Sequence, residues 1–285
     1  MELYDINQIE ALLKRHGFHF SKALGQNFLT DPEVCPAMAE AAIPDDSYGV
    51  LEIGPGIGVL TVELAKRAAK VVSVELDERL LPILEETLAP FANVKVVPGD
   101  ILKLDLHQLL AEEFGNRPVV VCANLPYYIT SPIITHLLQE QLPIRSLTVM
   151  VQAEAAERLC AEMGTREAGA ITAAIRYYAQ PERLFTVPKE SFVPSPKVTS
   201  EVIRLTLLPE PPAQLDNEQA FFRMVKAGFT QRRKTILNSF SSCLHLSKEE
   251  LRSVLAELNI PETARIEQLT LEDLIRIYQH TNSTT

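Results

Sequence analysis

Apolar and polar positions follow two rhythms along this chain. Short apolar runs in Gly49–Ile53, Val71–Glu75, Val94–Asp100, Pro118–Asn124 and Leu147–Gln152 have the continuous burial pattern of parallel strands. Between them apolar residues recur at helical spacing: Leu60, Leu64, Ala65 and Ala68 after the first run, Asp77–Leu88 after the second, and a segment ending at Phe114 after the third. Strand and helix in alternation predict a doubly wound, mostly parallel sheet. Leu184–Val187 and Ser200–Leu208 bring the strands to seven, preceded by helical patterns at Ala153–Cys160 and Ala170–Tyr178. Ahead of the sheet, Ile6–His16 places Ile9, Leu12 and Leu13 on one helix face and stops at Gly17, predicting a helical extension over about residues 1–30. Asp31-Pro32 predicts an N-cap with proline at the first helical position.

Both rhythms break at Leu208–Asp216, LPEPPAQLD, which sets a boundary between an α/β domain (1–208) and an all-α domain (209–285). The second has helical patterns at Glu218–Gly228, Lys234–Cys243, Lys248–Leu258 and Leu271–His280. At 285 residues and 46% hydrophobic, the chain can bury a full core, and no apolar run approaches the ~18 residues of a membrane span. Met1–Leu13 carries Glu2, Asp5 and Glu10 and lacks the order of a secretory signal, so the expected location is cytoplasmic. Cys35, Cys122, Cys160 and Cys243 form no C-x-x-C pair; they read as buried thiols, with no metal site.

Net charge of −10 repels nucleic acid on average, but a partner feels local potential. Gln219–Ser247 holds five basic residues, Arg232, Arg233 and Lys234 among them, and no acidic one. A solvated helix face would interleave both signs, so this stretch reads as an RNA-backbone contact, with Lys14, Arg15 and Lys22 helping to set the approach. A basic surface without a partner is the plain alternative.

The chemistry centres on Glu52–Thr61, where strand, glycine-paced turn and helix succeed one another. Gly54, Gly56 and Gly58 allow a sharp turn and close backbone approach to a ligand, beside the unpaired N–H groups of a helix start. A dinucleotide fingerprint is G-x-G-x-x-G, whereas this turn is G-x-G-x-G with Val59 in place of the third glycine. With Glu52 ahead of it, the turn resembles the E-x-G-x-G-x-G motif of class I S-adenosylmethionine-dependent methyltransferases, which implies a Rossmann-like fold. A cofactor carboxylate would use the helix N-terminus, and Glu75, ending the next strand, would accept from the ribose hydroxyls. Asp100 ends the third strand at the carboxyl edge, where open α/β sheets bind ligands, and is equally suited to cap a turn.

Asn124-Leu125-Pro126-Tyr127 follows directly on the fourth strand and resembles the N-[LIP]-P-[YF] motif of methyltransferases acting on exocyclic base amines. An adenine amine is a poor nucleophile because its lone pair is delocalised into the ring. An Asn oxygen and a backbone carbonyl accepting its two hydrogens would turn that lone pair toward the methyl donor, without a general base. Pro126 would stiffen the loop and Tyr127 would stack on the base. Two further stretches, G-Q-N-F-L (Gly25–Leu29) and F-x-P-x-P-x-V (Phe192–Val198), resemble those of the ribosomal RNA adenine dimethyltransferases. That family resemblance implies that Asn27, Leu29, Gly54, Gly56, Glu75, Asp100 and Asn124 contact S-adenosylmethionine. It also implies that Phe192 covers the other face of a flipped adenine. The tail Ala227–Ser239 is similar to the KsgA-type branch, which dimethylates two adjacent adenosines near the 3′ end of 16S rRNA in the 30S subunit or its assembly precursor. The resemblance implies a monomer in that role, with a part in ribosome biogenesis. The Erm-type branch, acting on 23S rRNA, shares the core motifs. From other classes, a dehydrogenase lacks the glycine spacing, and a non-catalytic assembly factor would be expected to lose Asn124 or Glu75.

Overall fold

The computed structural model describes residues 2–18 and 28–282. They divide into two compact units, Met1–Ala156 with Glu182–Leu207, and Glu157–Pro181 with Leu208–Thr285. In chain order the elements are α1 (Ile6–Arg15), β1 (Phe28–Leu29), α2 (Val34–Ala42), β2 (Gly49–Ile53), α3 (Val59–Ala65), β3 (Lys70–Glu75), α4 (Leu81–Leu88), β4 (Val94–Pro98), α5 (Leu106–Phe114), β5 (Val119–Asn124), α6 (Thr130–Gln139), β6 (Ile144–Gln152), α7 (Ala153–Cys160), α8 (Ala170–Tyr178), β7 (Ala179–Val187), β8 (Phe192–Val193), β9 (Ser200–Leu207), α9 (Glu218–Thr230), α10 (Ile236–Leu244), α11 (Lys248–Glu257) and α12 (Leu271–Asn282).

The first unit carries the seven-stranded sheet in the order β4-β3-β2-β5-β6-β9-β7. β2 runs parallel to β3 and β5, β3 to β4, and β5 to β6, whereas β9 is antiparallel to β6. The chain winds outward from β2 through β3 to β4, then returns to β5 on the other side of β2. That reversal leaves a crevice at the carboxyl ends of the central strands, the place where such sheets bind ligands. All five residues of β2 are buried, as a central strand covered on both faces requires. On α1, Asp5 caps the N-terminus by accepting from the amides of Asn7 and Gln8, and Ile9, Leu12 and Leu13 are the buried face. A second, two-stranded sheet pairs β1 with β8, so Phe28 faces Val193 and Leu29 faces Phe192.

Three local readings are corrected. The helix after Asp31-Pro32 begins at Val34, because the Asp31 carboxylate accepts from the Glu33 amide and the Ser191 hydroxyl instead of capping a first turn. α10 begins at Ile236: Gln231–Lys234 is a hydrogen-bonded turn, and Thr235 bridges to Arg265. Only Cys35 and Cys122 are buried, Cys160 and Cys243 being partly accessible.

The second unit is built on aromatic residues. Phe221 packs against Tyr177 and Tyr278 with ring centroids 5.9 and 5.6 Å away, and Phe240 is fully buried in the same cluster. The Tyr177 hydroxyl donates to the Ala213 carbonyl at 2.8 Å. Chain order places the boundary between the two domains at residue 208. The compact unit of the C-terminal helices also takes in Glu157–Pro181, and α8 contributes Ala173 and Tyr177 to its core.

Candidate active site

The crevice is a cavity within the first unit. β2 leads into it through Glu52, and the turn that follows is possible only because Gly54, Gly56 and Gly58 take φ of +67°, +62° and +93°. A Cβ at Gly54 would meet no atom within 4 Å, whereas one at Gly58 would lie 3.1 Å from both Leu88 and Thr87. Gly54 therefore leaves room for a ligand, and Gly58 lets α3 pack against α4.

Four carboxylates line the cavity, Glu52, Glu75, Asp77 and Asp100. Glu75, buried at the end of β3, accepts from the amides of Asp77 at 2.8 Å and Gly56 at 3.3 Å; burial raises its pKa. Two N–H groups leave a carboxylate capacity for further donors. Asp100 is half-buried, accepts from the Leu102 amide at 3.1 Å, and lies 3.4 Å from the Lys103 ammonium, so it organises a turn while keeping an edge toward the cavity. Glu52 is 1% exposed. One of its oxygens accepts from the hydroxyls of Thr61 at 2.7 Å and Ser73 at 2.6 Å, and the other has no hydrogen-bond partner among the described residues. Burial, opposed by those hydroxyls, pushes its pKa up to about 7.

Asn124 ends β5 and lines the same cavity. Its side chain forms no hydrogen bond to any described residue, so the amide oxygen is available to a ligand. The Leu125 amide donates to the Met150 carbonyl at 3.2 Å, and the Pro126 carbonyl accepts from the Ile129 amide and the Thr130 hydroxyl. These bonds fix the loop and leave the Leu125 carbonyl without a donor among the described residues. The half-buried Tyr127 donates to or accepts from the Ser200 hydroxyl at 2.6 Å. Phe192, 2% exposed, and Phe28 also line the cavity. Leu29 lines it too, held by the β1–β8 pairing and by the Thr30 amide donating to the Ser191 carbonyl at 2.8 Å.

One cavity thus gathers Leu29, Gly54, Gly56, Glu75, Asp100, Asn124, Leu125, Pro126, Tyr127 and Phe192 of the sequence-predicted set. Asn27 and Lys22 lie outside the described residues. Lys14 and Arg15 are exposed on α1, where Arg15 pairs with Glu86, as does His16 at 2.7 Å. Arg232, Arg233 and Lys234 belong to the second unit. There Arg233 and Lys234 are exposed, but Arg232 donates to the Arg166 carbonyl, pairs with Glu267 at 3.3 Å and stacks over Phe229 at 5.7 Å. Thr61, Ser73 and Ser200 were not among the predicted residues. Their hydroxyls act on Glu52 and Tyr127 from other strands and helices, and a lone Ser or Thr carries no local signal for that.

A strand, glycine turn and helix, a buried carboxylate ending the next strand, and an Asn-Leu-Pro-Tyr loop on the same cavity define an S-adenosylmethionine-dependent methyltransferase. The chain belongs to the ribosomal RNA adenine dimethylases, whose family model matches residues 17–283. It is 47% identical over 266 residues to the "Ribosomal RNA small subunit methyltransferase A" of Geobacillus sp. (strain WCH70), covering 92% of this chain and 91% of the relative. Its identity to the protein of the same name from Bacillus mycoides (strain KBAB4) is 47% over 271 residues, 94% and 93% of the two chains. Among solved structures it is similar to a dimethyladenosine transferase from Plasmodium falciparum, with TM-score 0.75 and 25% identity over 90% of this chain and 97% of that one. It is also similar to the 23S rRNA methyltransferase ErmE, with TM-score 0.68 and 28% identity over 90% and 99%. The fold is that of the Rossmann-like methyltransferases and the chain is an enzyme whose methyl donor is S-adenosylmethionine. The open space over Gly54, the unpartnered oxygen of Glu52 and the uncommitted amide of Asn124 fit that group. No helix among the described residues is long and apolar enough to cross a membrane.

Proposed function

We propose that this enzyme dimethylates the exocyclic amines of two adjacent adenosines near the 3′ end of 16S rRNA, within the 30S subunit or its assembly precursor. The observation that carries the reading is that the Asn124–Tyr127 loop lines the same cavity as Glu75 and Asp100. The choice of the small subunit is supported by the names of the relatives at 47% identity, against 28% for the 23S enzyme.

In this reading Glu75 accepts from the ribose hydroxyls of the cofactor, Asp100 from its adenine amine, and Leu29, Gly54 and Gly56 line its bed. Asn27 completes that set from outside the described residues. The bound cofactor supplies an electrophilic methyl on a sulfonium sulfur. Asn124 Oδ1 and the Leu125 carbonyl accept the two hydrogens of the target amine and hold its lone pair toward that methyl. Tyr127 and Phe192 stack on the two faces of the flipped base, and Pro126 keeps the loop from giving way. After attack the nitrogen is cationic and loses its proton to water, so no side chain serves as base. Arg233 and Lys234, with Arg232 beside them and Lys14, Arg15 and Lys22 on the N-terminal segment, contact the RNA backbone. The enzyme acts as a cytoplasmic monomer.

Transfer of labelled methyl to naked 16S RNA, naked 23S RNA and unmethylated 30S particles, in parallel, tests the substrate. Methylation of the 30S particle and not of 23S RNA is expected, and preference for 23S RNA would overturn the assignment. Asn124→Ala should keep cofactor binding and lose ~10²–10³ in turnover. Near-normal single-turnover transfer by that variant would remove Asn124 from its role.

A further inference from the structure

Tyr127 and Tyr128 are neighbours with different surroundings: the Tyr128 ring is 56% exposed, whereas Tyr127 is half-buried with its hydroxyl 2.6 Å from Ser200 Oγ. Ser200 is fully buried as the first residue of β9. Its backbone is fixed as firmly as its side chain, because it pairs with Gln152 of β6 and the preceding Thr199 carbonyl accepts from the Ala153 amide at 3.0 Å. A phenol ring held only at Cβ can swing about χ1 and χ2; one held at its far end as well keeps a single plane. Ser200 also ends the connection that begins at Phe192, a second aromatic residue lining the cavity.

We infer that Ser200 is a positioning residue for methyl transfer, fixing through the Tyr127 hydroxyl the plane of that ring and its spacing from Phe192. The inference rests on the reading of Tyr127 as a base-stacking residue. A slot of fixed width spares the incoming adenine the cost of ordering its own walls, and that saving is realised in turnover when the amine must sit within a fraction of an ångström of its line of attack. Burial raises the Tyr127 pKa, so the phenol stays neutral and the hydrogen bond persists through the working pH range.

Single-turnover methyl transfer to 30S particles by Tyr127→Ala, Tyr127→Phe, Ser200→Ala and the Tyr127→Phe/Ser200→Ala pair separates the possibilities, with calorimetric cofactor binding as the control for folding. The expected result is about a tenfold loss of rate in Tyr127→Phe and in Ser200→Ala, the same loss in the pair, unchanged cofactor affinity, and a larger loss in Tyr127→Ala. Losses that multiply in the pair would mean that Ser200 acts by another route and would overturn the inference. Wild-type rates in Tyr127→Phe and Ser200→Ala beside a collapsed Tyr127→Ala would also overturn it, while leaving the stacking role intact. A wild-type rate in Tyr127→Ala would overturn both. Should Ser200→Ala fail to fold, Tyr127→Phe removes the same hydrogen bond from the cavity side with the ring in place: a loss supports the inference and a wild-type rate overturns it.

Discussion

Glu52, buried with one oxygen held by Thr61 and Ser73, ties the protein's stability to pH. An unfolded glutamate titrates near 4.3, and burial pushes this one up to about 7. The folded state therefore holds its proton more tightly than the unfolded state. The resulting stabilisation is complete below the unfolded value and is lost as pH rises through about 7. For a fully buried carboxyl the difference is on the order of 3 kcal/mol. Glu52→Gln keeps an oxygen for Thr61 and Ser73 and cannot ionise. Urea midpoints at a series of pH values should show wild type losing ground to Glu52→Gln between pH 5 and 8, with the gap closing at pH 4. Glu75 shifts in the same direction for the same reason, which is why the comparison is made between the two proteins and not along one curve.

At the level of elements, the glycine turn separates two kinds of requirement. Gly54 and Gly58 both adopt positive φ, so alanine at either costs roughly 1–2 kcal/mol in backbone conformation. At Gly58 the methyl also crowds Leu88 and Thr87 on α4, while at Gly54 it enters open cavity. Gly58→Ala should therefore lose more stability in chemical denaturation, and Gly54→Ala more cofactor affinity in calorimetry; the reverse order would contradict the division. This turn, the strands around it and the Asn124–Tyr127 loop were legible in the sequence, because period, glycine placement and chain order are local signals. The start of α2 was not: Asp31 is drawn away by Ser191, a residue that no local window contains. The Tyr127–Ser200 contact was hidden for the same reason, and α8 was assigned to the sheet unit because a proline-rich break records where the chain turns and not what each helix packs against.

For the molecule as a whole, charge is the quantity that the two units share unequally. The chain carries −10, yet the second unit displays Arg233 and Lys234 on a stretch without acids. Arg233→Ala/Lys234→Ala should weaken 30S binding and reduce the slope of log affinity against log salt by roughly 0.7–0.9 for each phosphate contact removed. Arg232 is left in place for this measurement, since its ties to Arg166, Glu267 and Phe229 make its loss a structural change too. An unchanged slope with unchanged affinity would send the search for the docking surface elsewhere. The pairing of β1 with β8 bears on a different property, the order in which the protein becomes competent during synthesis. Thr30 meets Ser191 across 161 residues, so the cavity wall formed by Leu29 and Phe192 is among the contacts of longest sequence separation, whereas the glycine turn needs only its neighbours. A nascent chain that has emerged as far as β6 already owns Glu75, Asp100 and Asn124 but has no wall to close over them, and the site is completed only after Phe192 has left the ribosome.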